Sequence, residues 1–87
     1  PVYVPQPQYP RRAQTRGKEG YAVIEVIITP TGGVRDPKLL EEDPEGWGFG
    51  RAAMKAALKL KYNPRVVDGV GQEVSGVMYK FTFEMAK

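Results

Sequence analysis

Side chains that carry out catalysis or bind metals are scarce in this chain of 87 residues. The sequence contains no histidine and no cysteine, and its one serine is Ser75. A Ser/His/Asp triad, a thiolate nucleophile, a Cys or His zinc site and a disulfide therefore cannot be built from these residues. We predict that the chain is not an enzyme and that it holds no cofactor and no metal.

Two short motifs imitate ligand sites. Residues 46–51, Gly-Trp-Gly-Phe-Gly-Arg, come close to the phosphate-binding pattern G-x-G-x-x-G, but Arg51 stands at the sixth position and no βαβ unit surrounds the motif. The four acids within residues 41–45 lack the alternating spacing of a calcium loop. We interpret both as parts of a solvated loop that leads into a helix.

Three basic residues, Arg51, Lys55 and Lys59, recur at every fourth position. Like charges at this spacing destabilise a helix by about 0.2–0.5 kcal/mol per pair, so an acidic group is expected to compensate them. Either the acidic loop at 41–45 folds back on this basic stripe, or another molecule binds it. The sequence favours the acidic loop because that arrangement needs nothing outside the chain.

The charge balance permits an acidic partner without requiring one. The formal net charge is +3 and the isoelectric point is near 9.3. Binding of nucleic acid would call for exposed aromatic side chains among basic ones, whereas Tyr79, Phe81 and Phe83 alternate as on the buried face of a strand. We predict no nucleic-acid binding. No apolar run approaches the roughly 18 residues that cross a bilayer.

The predicted elements begin with an extended segment and a short helix. Residues 1–10 contain four prolines, which favour an extended, weakly packed backbone. Residues 10–16 fit one short helix that stops at Gly17.

Two strands are predicted next. Residues 21–29 alternate as a strand with one strongly apolar face, and a Thr-Pro-Thr-Gly-Gly turn at 29–33 leads into a second strand at 34–41. Because Pro37 has no backbone N–H to donate, it should lie at a sheet edge or on a bulge.

The second half of the chain predicts a longer helix and a final strand. Apolar residues at helical spacing indicate an amphipathic helix over 49–61, followed by a glycine-rich loop. Residues 75–85 alternate cleanly as the last strand. The predicted fold is α+β: a three-stranded antiparallel sheet in the order 2-1-3, both helices on one face, and the last strand at an edge. Residues 1–9 would be the end of a proline-rich tether and residues 10–87 one domain.

Several of these segments resemble one known family. They are the Gln-Pro-Gln-Tyr-Pro run at 6–10 followed by Ala13, the strand-turn-strand around 29–34, the helix opening at Phe49 and the Lys-Tyr-Asn-Pro exit at 61–64. In order and spacing they are similar to the C-terminal domain of TonB over residues 6–85. Leu60 and Pro37 depart from the family pattern, where relatives have tryptophan and a β-branched residue.

The resemblance implies a periplasmic energy transducer. Family members are tethered to the inner membrane of a Gram-negative bacterium by an N-terminal helix that this sequence lacks, and they couple to a motor of the ExbB and ExbD type. The C-terminal domain binds outer-membrane β-barrel transporters of iron-siderophore, haem or cobalamin type. It pairs its last strand with the TonB box of the transporter, while the Gln-Pro-Gln-Tyr-Pro segment contacts the box and the plug.

The residues expected at the partner surface lie in two groups, the proline-rich segment with the first helix, and the last strand. They are Gln6, Pro7, Gln8, Tyr9, Pro10 and Arg12, then Val77, Met78, Tyr79, Lys80, Phe81 and Thr82. In the strand, Val77, Tyr79 and Phe81 are core residues by their alternation, so binding would depend on the backbone and on the outward Met78, Lys80 and Thr82. An edge strand supports this role independently, because it is a template for strand addition.

Other interpretations remain open from the sequence. Tyr9 and Pro10 would equally serve as an anchor where the chain enters the first helix, and Arg12 fits an ordinary surface charge. The alternative function is a scaffolding module of the cell envelope, similar to TolA, which would bind an envelope protein instead of a transporter. A small basic RNA-binding domain is a third and more remote alternative.

Overall fold

The computed structural model describes residues 1–86, so Lys87, the last residue of the predicted domain, lies outside the described residues. Within residues 1–86, two helices and five strands follow one another. They are α1 Arg11–Thr15, β1 Gly20–Ile28, β2 Val34–Asp43, α2 Phe49–Ala57, β3 Arg65–Val67, β4 Val70–Gln72 and β5 Val74–Phe83.

The main sheet has three antiparallel strands in the order β2-β1-β5, and β3 and β4 form a separate hairpin. This confirms the predicted α+β fold, with the first predicted strand in the centre and the last at an edge. Pro37 lies in the outer strand β2, beside a break in the β1–β2 register between Glu25 and Ile27. The prediction for this proline is therefore confirmed as well.

The core lies between one face of the sheet and the two helices. Alternate residues of β1, including Ile24 and Val26, are fully buried, and Phe49, Leu60 and Ala13 pack against them from the helical side. Burying a side chain such as phenylalanine or isoleucine contributes about 1.5–3 kcal/mol. A few large side chains therefore carry much of the stability of this small domain.

Helix α2 lies so close to the sheet that β1 begins with a glycine. A Cβ atom at Gly20 would lie 2.4 Å from the carbonyl oxygen of Asp43 and 2.7 Å from the ring of Phe49. Both atoms belong to well-packed groups, so the contact could not be relieved by a small shift. Gly20 is therefore required where Phe49, at the start of α2, reaches the core.

The turn between β1 and β2 is held by its own hydrogen bonds and by the segment after α2. Thr29 donates its N–H to the carbonyl of Gly33 at 2.9 Å, and Gly32 adopts a φ of 94° that favours glycine. The N–H of Tyr62 donates to the Gly32 carbonyl at 2.8 Å. This bond ties the chain after α2 to the turn.

Three elements differ from their predicted extents by two residues or more at one end, and the last strand is one of them: it runs from Val74 to Phe83 instead of 75–85. Helix α2 ends at Ala57 instead of residue 61, because the chain then tightens into bonds from Lys59 to Ala56 and from Leu60 to Ala57. This turn places Leu60 in the core and leaves the backbone of Lys61 free to form a β-bridge with Tyr3. Strand β2 continues to Asp43 instead of ending at residue 41.

The glycine-rich loop predicted after α2 contains the hairpin of β3 and β4. Its turn residues Asp68 and Gly69 both have positive φ, 51° and 78°. Asp-Gly between short apolar runs is a strong hairpin signal, because this turn needs positive φ at both central residues. The predicted loop therefore includes a hairpin that the sequence-based prediction did not contain.

The acidic loop does not fold back on the basic stripe. Among residues 1–86, the ion pairs within 4.0 Å join Arg35 to Asp36 and to Glu73, and neither involves Arg51, Lys55 or Lys59. Extension of β2 to Asp43 keeps three of the four acids in the sheet. The three basic side chains stay exposed to solvent.

Candidate partner-binding site

Strand β5 has a partner on one side only. It pairs with β1 from Gly20 opposite Phe83 to Ile28 opposite Val74, and its other edge carries no strand of residues 1–86. Phe81 is buried and Val77 and Tyr79 are half-buried, whereas Met78, Lys80 and Thr82 are exposed. This arrangement matches the division between core and outward side chains that the sequence predicts.

The direction of the backbone N–H groups in β1 follows from one bond at the end of the strand. Thr29 donates toward β2, through its bond to Gly33. The donor direction alternates from residue to residue in an antiparallel strand, and the register breaks place the extra residues in β2 and β5, not in β1. Even-numbered residues of β1 therefore direct their N–H groups toward β5.

The same alternation assigns the open edge of β5. Even-numbered residues of β1 stand opposite Tyr79 and Phe81, so these two residues bond to β1. The N–H groups of Met78, Lys80 and Thr82 then point away from β1, into solvent. Beyond the strand, the N–H of Met85 donates to Glu19 at 2.7 Å, which gives odd-numbered residues the same inward direction.

The opposite edge of the sheet, along β2, is far less suited to pairing. Its register against β1 breaks twice, and Asp36 has a φ of 51° next to Pro37, which has no N–H. The strand also carries many charged side chains. Bulges, proline and charge are the devices that block strand addition at an edge. Of the two outer strands of the sheet, β5 is thus the one with an edge available for a partner strand.

Tyr9 joins the proline-rich segment to the core at the end of β5. Its ring lies edge-on to Phe49 and Phe83, with centroid distances of 6.0 and 5.7 Å. Its hydroxyl donates to the carbonyl of Lys18. Partial burial, assisted by the carboxylate of Glu19, raises the pKa of Tyr9 above its ordinary value. In the free domain Tyr9 is thus an anchor at the start of α1.

Residues 1–10, which we call the strap, lie along α2. Tyr3 forms a bridge with Lys61 through two bonds, 3.2 Å from its N–H and 3.1 Å to its carbonyl, and Val2 adds a third at 2.7 Å. Pro5 is buried. The strap is therefore attached to the domain more firmly than its proline content indicates. The predicted site residues within it are placed as follows: Gln6 and Gln8 are exposed, and Pro7, Tyr9 and Pro10 are half-buried.

Arg12, the remaining predicted site residue, stacks on an aromatic ring. Its guanidinium carbon lies 4.6 Å from the centre of the Trp47 ring, and the amine of Lys18 lies 5.4 Å from the same ring. Contacts of this kind hold a cation in place while leaving its charge accessible. The stacking of Arg12 on Trp47 was not predicted from the sequence.

The two groups of predicted site residues are linked through Phe83, the residue that follows Thr82. The ring of Tyr9 contacts Phe83 at the end of β5, whereas the rest of the strap follows α2 toward Lys61. Within residues 1–86 no cluster of three or more acidic side chains is suited to a metal ion. No helix in that range is both long and apolar enough to cross a membrane.

A small sheet backed by helices, with one outer strand free to pair, is typical of domains that bind extended peptides. The sequence profile described as "Gram-negative bacterial TonB protein C-terminal" matches residues 5–85. The chain belongs to this family, the energy-transducing C-terminal domain of TonB proteins. The family is not enzymatic, in agreement with the sequence-based prediction.

Individual relatives agree with this family. Protein TonB of Pseudomonas aeruginosa is 38% identical over 69 residues, 79% of this chain and 20% of the relative. Protein TonB of Escherichia coli strain K12 is 31% identical over 80 residues, 92% of this chain and 30% of the relative. The chain thus spans less than a third of the length of these two curated relatives.

Solved structures of the family share the fold over the whole chain. The solution structure of the Pseudomonas aeruginosa TonB C-terminal domain has a TM-score of 0.79 at 33% identity and is covered to 86%. The TonB2 protein of Vibrio anguillarum has a TM-score of 0.72 at 38% identity and is covered to 81%. Both comparisons include 100% of this chain.

Proposed function

We propose that the domain binds outer-membrane transporters by adding an extended segment of the transporter, the TonB box, to the open edge of β5. The observation that carries the proposal is the row of outward N–H groups at Met78, Lys80 and Thr82, on the edge that is not blocked. Each N–H is a donor that an incoming strand would satisfy together with the neighbouring carbonyls.

Strand addition would allow one domain to bind several transporters. Main-chain bonds supply affinity without demanding particular side chains in the partner. The exposed side chains beside the edge add modest preferences: Met78 is 62% exposed and offers an apolar contact, and the amine of Lys80 lies 4.3 Å from the centre of the Tyr21 ring. A short apolar or acidic segment would fit beside these groups.

The exposed face of the strap and α1 would supply a second contact. Gln6 and Gln8 present side-chain amides to solvent, and Arg12 presents its charge while it rests on Trp47. Because Tyr9 fixes the strap against Phe83, these groups keep a defined position relative to β5. A transporter whose box pairs with β5 would meet these groups with the adjoining part of the box and with its plug.

The wider role that we propose is that of the full-length TonB relatives, which are longer than this chain. We place the domain in the periplasm, at the end of a proline-rich tether that begins at an inner-membrane helix. A motor of the ExbB and ExbD type would use the proton-motive force to act on that helix. The domain would then transmit mechanical work to transporters of iron-siderophore, haem or cobalamin type.

A proline substitution at Lys80 tests strand addition. Lys80→Pro removes an outward donor, and proline is tolerated on edge strands, so the domain should stay folded. Loss of this bond and of its neighbours should weaken the binding of a synthetic TonB-box peptide by about tenfold or more, since each bond contributes about 0.5–1.5 kcal/mol. The measurements are fluorescence anisotropy for affinity and circular dichroism for folding.

Lys80→Ala is the matched control, because it removes the same side chain and keeps the N–H. The peptide should bind this variant with nearly the affinity of the original domain. If Lys80→Pro binds as tightly as the unchanged domain, or if Lys80→Ala loses as much affinity as Lys80→Pro, the backbone of β5 is not the binding element.

A further inference from the structure

The strap and α2 enclose a groove of about 560 Å³ with a strongly basic wall. Arg51, Lys55 and Lys59 line one side, Arg11 lines one end, and the strap forms the other side. No acidic side chain of residues 1–86 lines this basic groove or forms an ion pair with its cations. The groove is therefore a concentration of positive charge that the described part of the chain leaves uncompensated.

The spacing of the cations is linear. Arg51 and Lys55 lie one helical turn apart, about 6 Å along the axis, and Lys59 continues the row just past the end of α2. In an extended peptide, alternate side chains on one face lie about 6.6 Å apart. A peptide with acidic residues at every second position would therefore place one carboxylate near each cation of the row.

The opposite wall favours the same kind of ligand. The strap is itself extended, and its Gln6 and Gln8 line the groove with amide groups that can bond to a peptide backbone. A concave channel between two walls admits a chain, whereas a planar membrane surface would meet only the outer rim. Arg51 and Lys55 belong to α2 and Lys59 follows it, so the three cations lie away from the open edge of β5.

We propose that the basic groove binds an extended acidic segment of a partner protein, with acidic residues at alternate positions. This contact is separate from strand addition at β5 and does not depend on it. A partner that carries both segments would bind the domain in two places, which raises the combined affinity above that of either contact alone.

The test uses a fluorescent peptide of alternating serine and glutamate with three glutamates, and a second peptide of the same composition with its three glutamates adjacent. The groove variant is Arg51→Gln, Lys55→Gln, Lys59→Gln. The control variant is Arg16→Gln, Lys38→Gln, Arg65→Gln, which removes three exposed charges outside the groove. Both variants lower the formal net charge from +3 to zero.

We expect the alternating peptide to bind the unchanged domain and the control variant about equally, and the groove variant about tenfold more weakly, as three exposed ion pairs are lost. It should bind more tightly than the peptide with adjacent glutamates, and more weakly at high salt. A TonB-box peptide should bind all three proteins alike, so the result is independent of the proposed role of β5.

Three results would overturn the proposal. The first is that the alternating peptide fails to bind the unchanged domain. The second is that both variants lose affinity for this peptide equally, which would show that net charge alone attracts it. In the third, vesicles of anionic phospholipid would bind in a groove-dependent manner while the peptide does not, which would make the groove a membrane contact.

Discussion

The hydroxyl groups of Tyr9 and Tyr62 have opposite surroundings. The hydroxyl of Tyr9 donates to the carbonyl of Lys18, whereas that of Tyr62 is buried without a hydrogen-bond partner among residues 1–86. Tyr9→Phe should therefore lower the free energy of unfolding by about 1 kcal/mol, and Tyr62→Phe should leave it unchanged or raise it by up to about 1 kcal/mol. Urea unfolding of the two variants beside the unchanged domain measures both values.

Each of these variants is the control for the other, since both remove one oxygen and keep the ring. Burial, with a smaller contribution from Tyr79, raises the pKa of Tyr62, which agrees with a neutral phenol in an apolar setting. Equal losses of stability in the two variants would mean that the Tyr62 hydroxyl has a partner in solution. If Tyr9→Phe leaves the free energy of unfolding unchanged, the hydrogen bond from Tyr9 to Lys18 does not contribute to the anchor.

At the scale of elements, one ion pair crosses an end of the sheet. Arg35 in β2 donates two bonds, at 2.9 and 2.7 Å, to the carboxylate of Glu73, the residue before β5. Hydrogen bonding to Arg35, followed by its charge, lowers the pKa of Glu73 below its ordinary value. The pair therefore stabilises the fold fully above the unfolded pKa of glutamate, about 4.3, and this contribution is lost as the pH falls through the lower folded value.

Glu73→Gln should therefore lower stability at pH 7, and the difference from the unchanged domain should shrink as the pH falls toward 2. Urea unfolding across this range measures the difference, and Glu45→Gln, at an exposed acid outside the ion pairs of the described residues, is the control. A difference of the same size at pH 7 and pH 2 would show that the side-chain shape matters and not the charge.

The elements differ in how far their sequences could predict them. Strands β1 and β5 are clear from alternation because each buries one face. The β3–β4 hairpin was missed although Asp68-Gly69 signals it, because its strands have three residues each and no residue of either is buried. The end of α2 was placed too late, since Leu60 keeps helical spacing although it reaches the core from a turn.

The candidate site also combines features that the sequence predicts with features that it does not. Its residues were predicted from a resemblance and from the edge position of the last strand. Two features could be found only in the structure. The outward direction of the N–H groups in β5 depends on the hydrogen-bond register. The groove under the strap depends on the contact between Tyr3 and Lys61, which are 58 positions apart. The alternation of apolar and polar residues shows which side chains share a face of a sheet. It gives neither the direction of the N–H groups nor the contacts that form the groove.

At the scale of the whole molecule, the strap is an attachment to a core that does not include it. The cluster of buried residues begins at Ala13, and Tyr9 is the first residue that packs against it. Deletion of residues 1–8 should therefore preserve the fold. It removes three backbone bonds to Lys61, so it should lower the free energy of unfolding by about 1–3 kcal/mol, a large share of the roughly 5 kcal/mol typical of a small domain.

The same deletion should also weaken the binding of a TonB-box peptide, because it removes Gln6 and Gln8 from the proposed second contact. Gln6→Ala with Gln8→Ala is the matched control: it leaves the backbone bonds of Val2 and Tyr3 in place and removes only the exposed amides. That variant should keep the stability of the unchanged domain and lose the same affinity as the truncated one. Urea unfolding measures the stability of each variant, and fluorescence anisotropy measures its affinity for the peptide.

A truncated domain with unchanged stability would show that the bridge to Lys61 does not hold the strap in solution. Unchanged peptide affinity in both variants would confine the partner surface to β5.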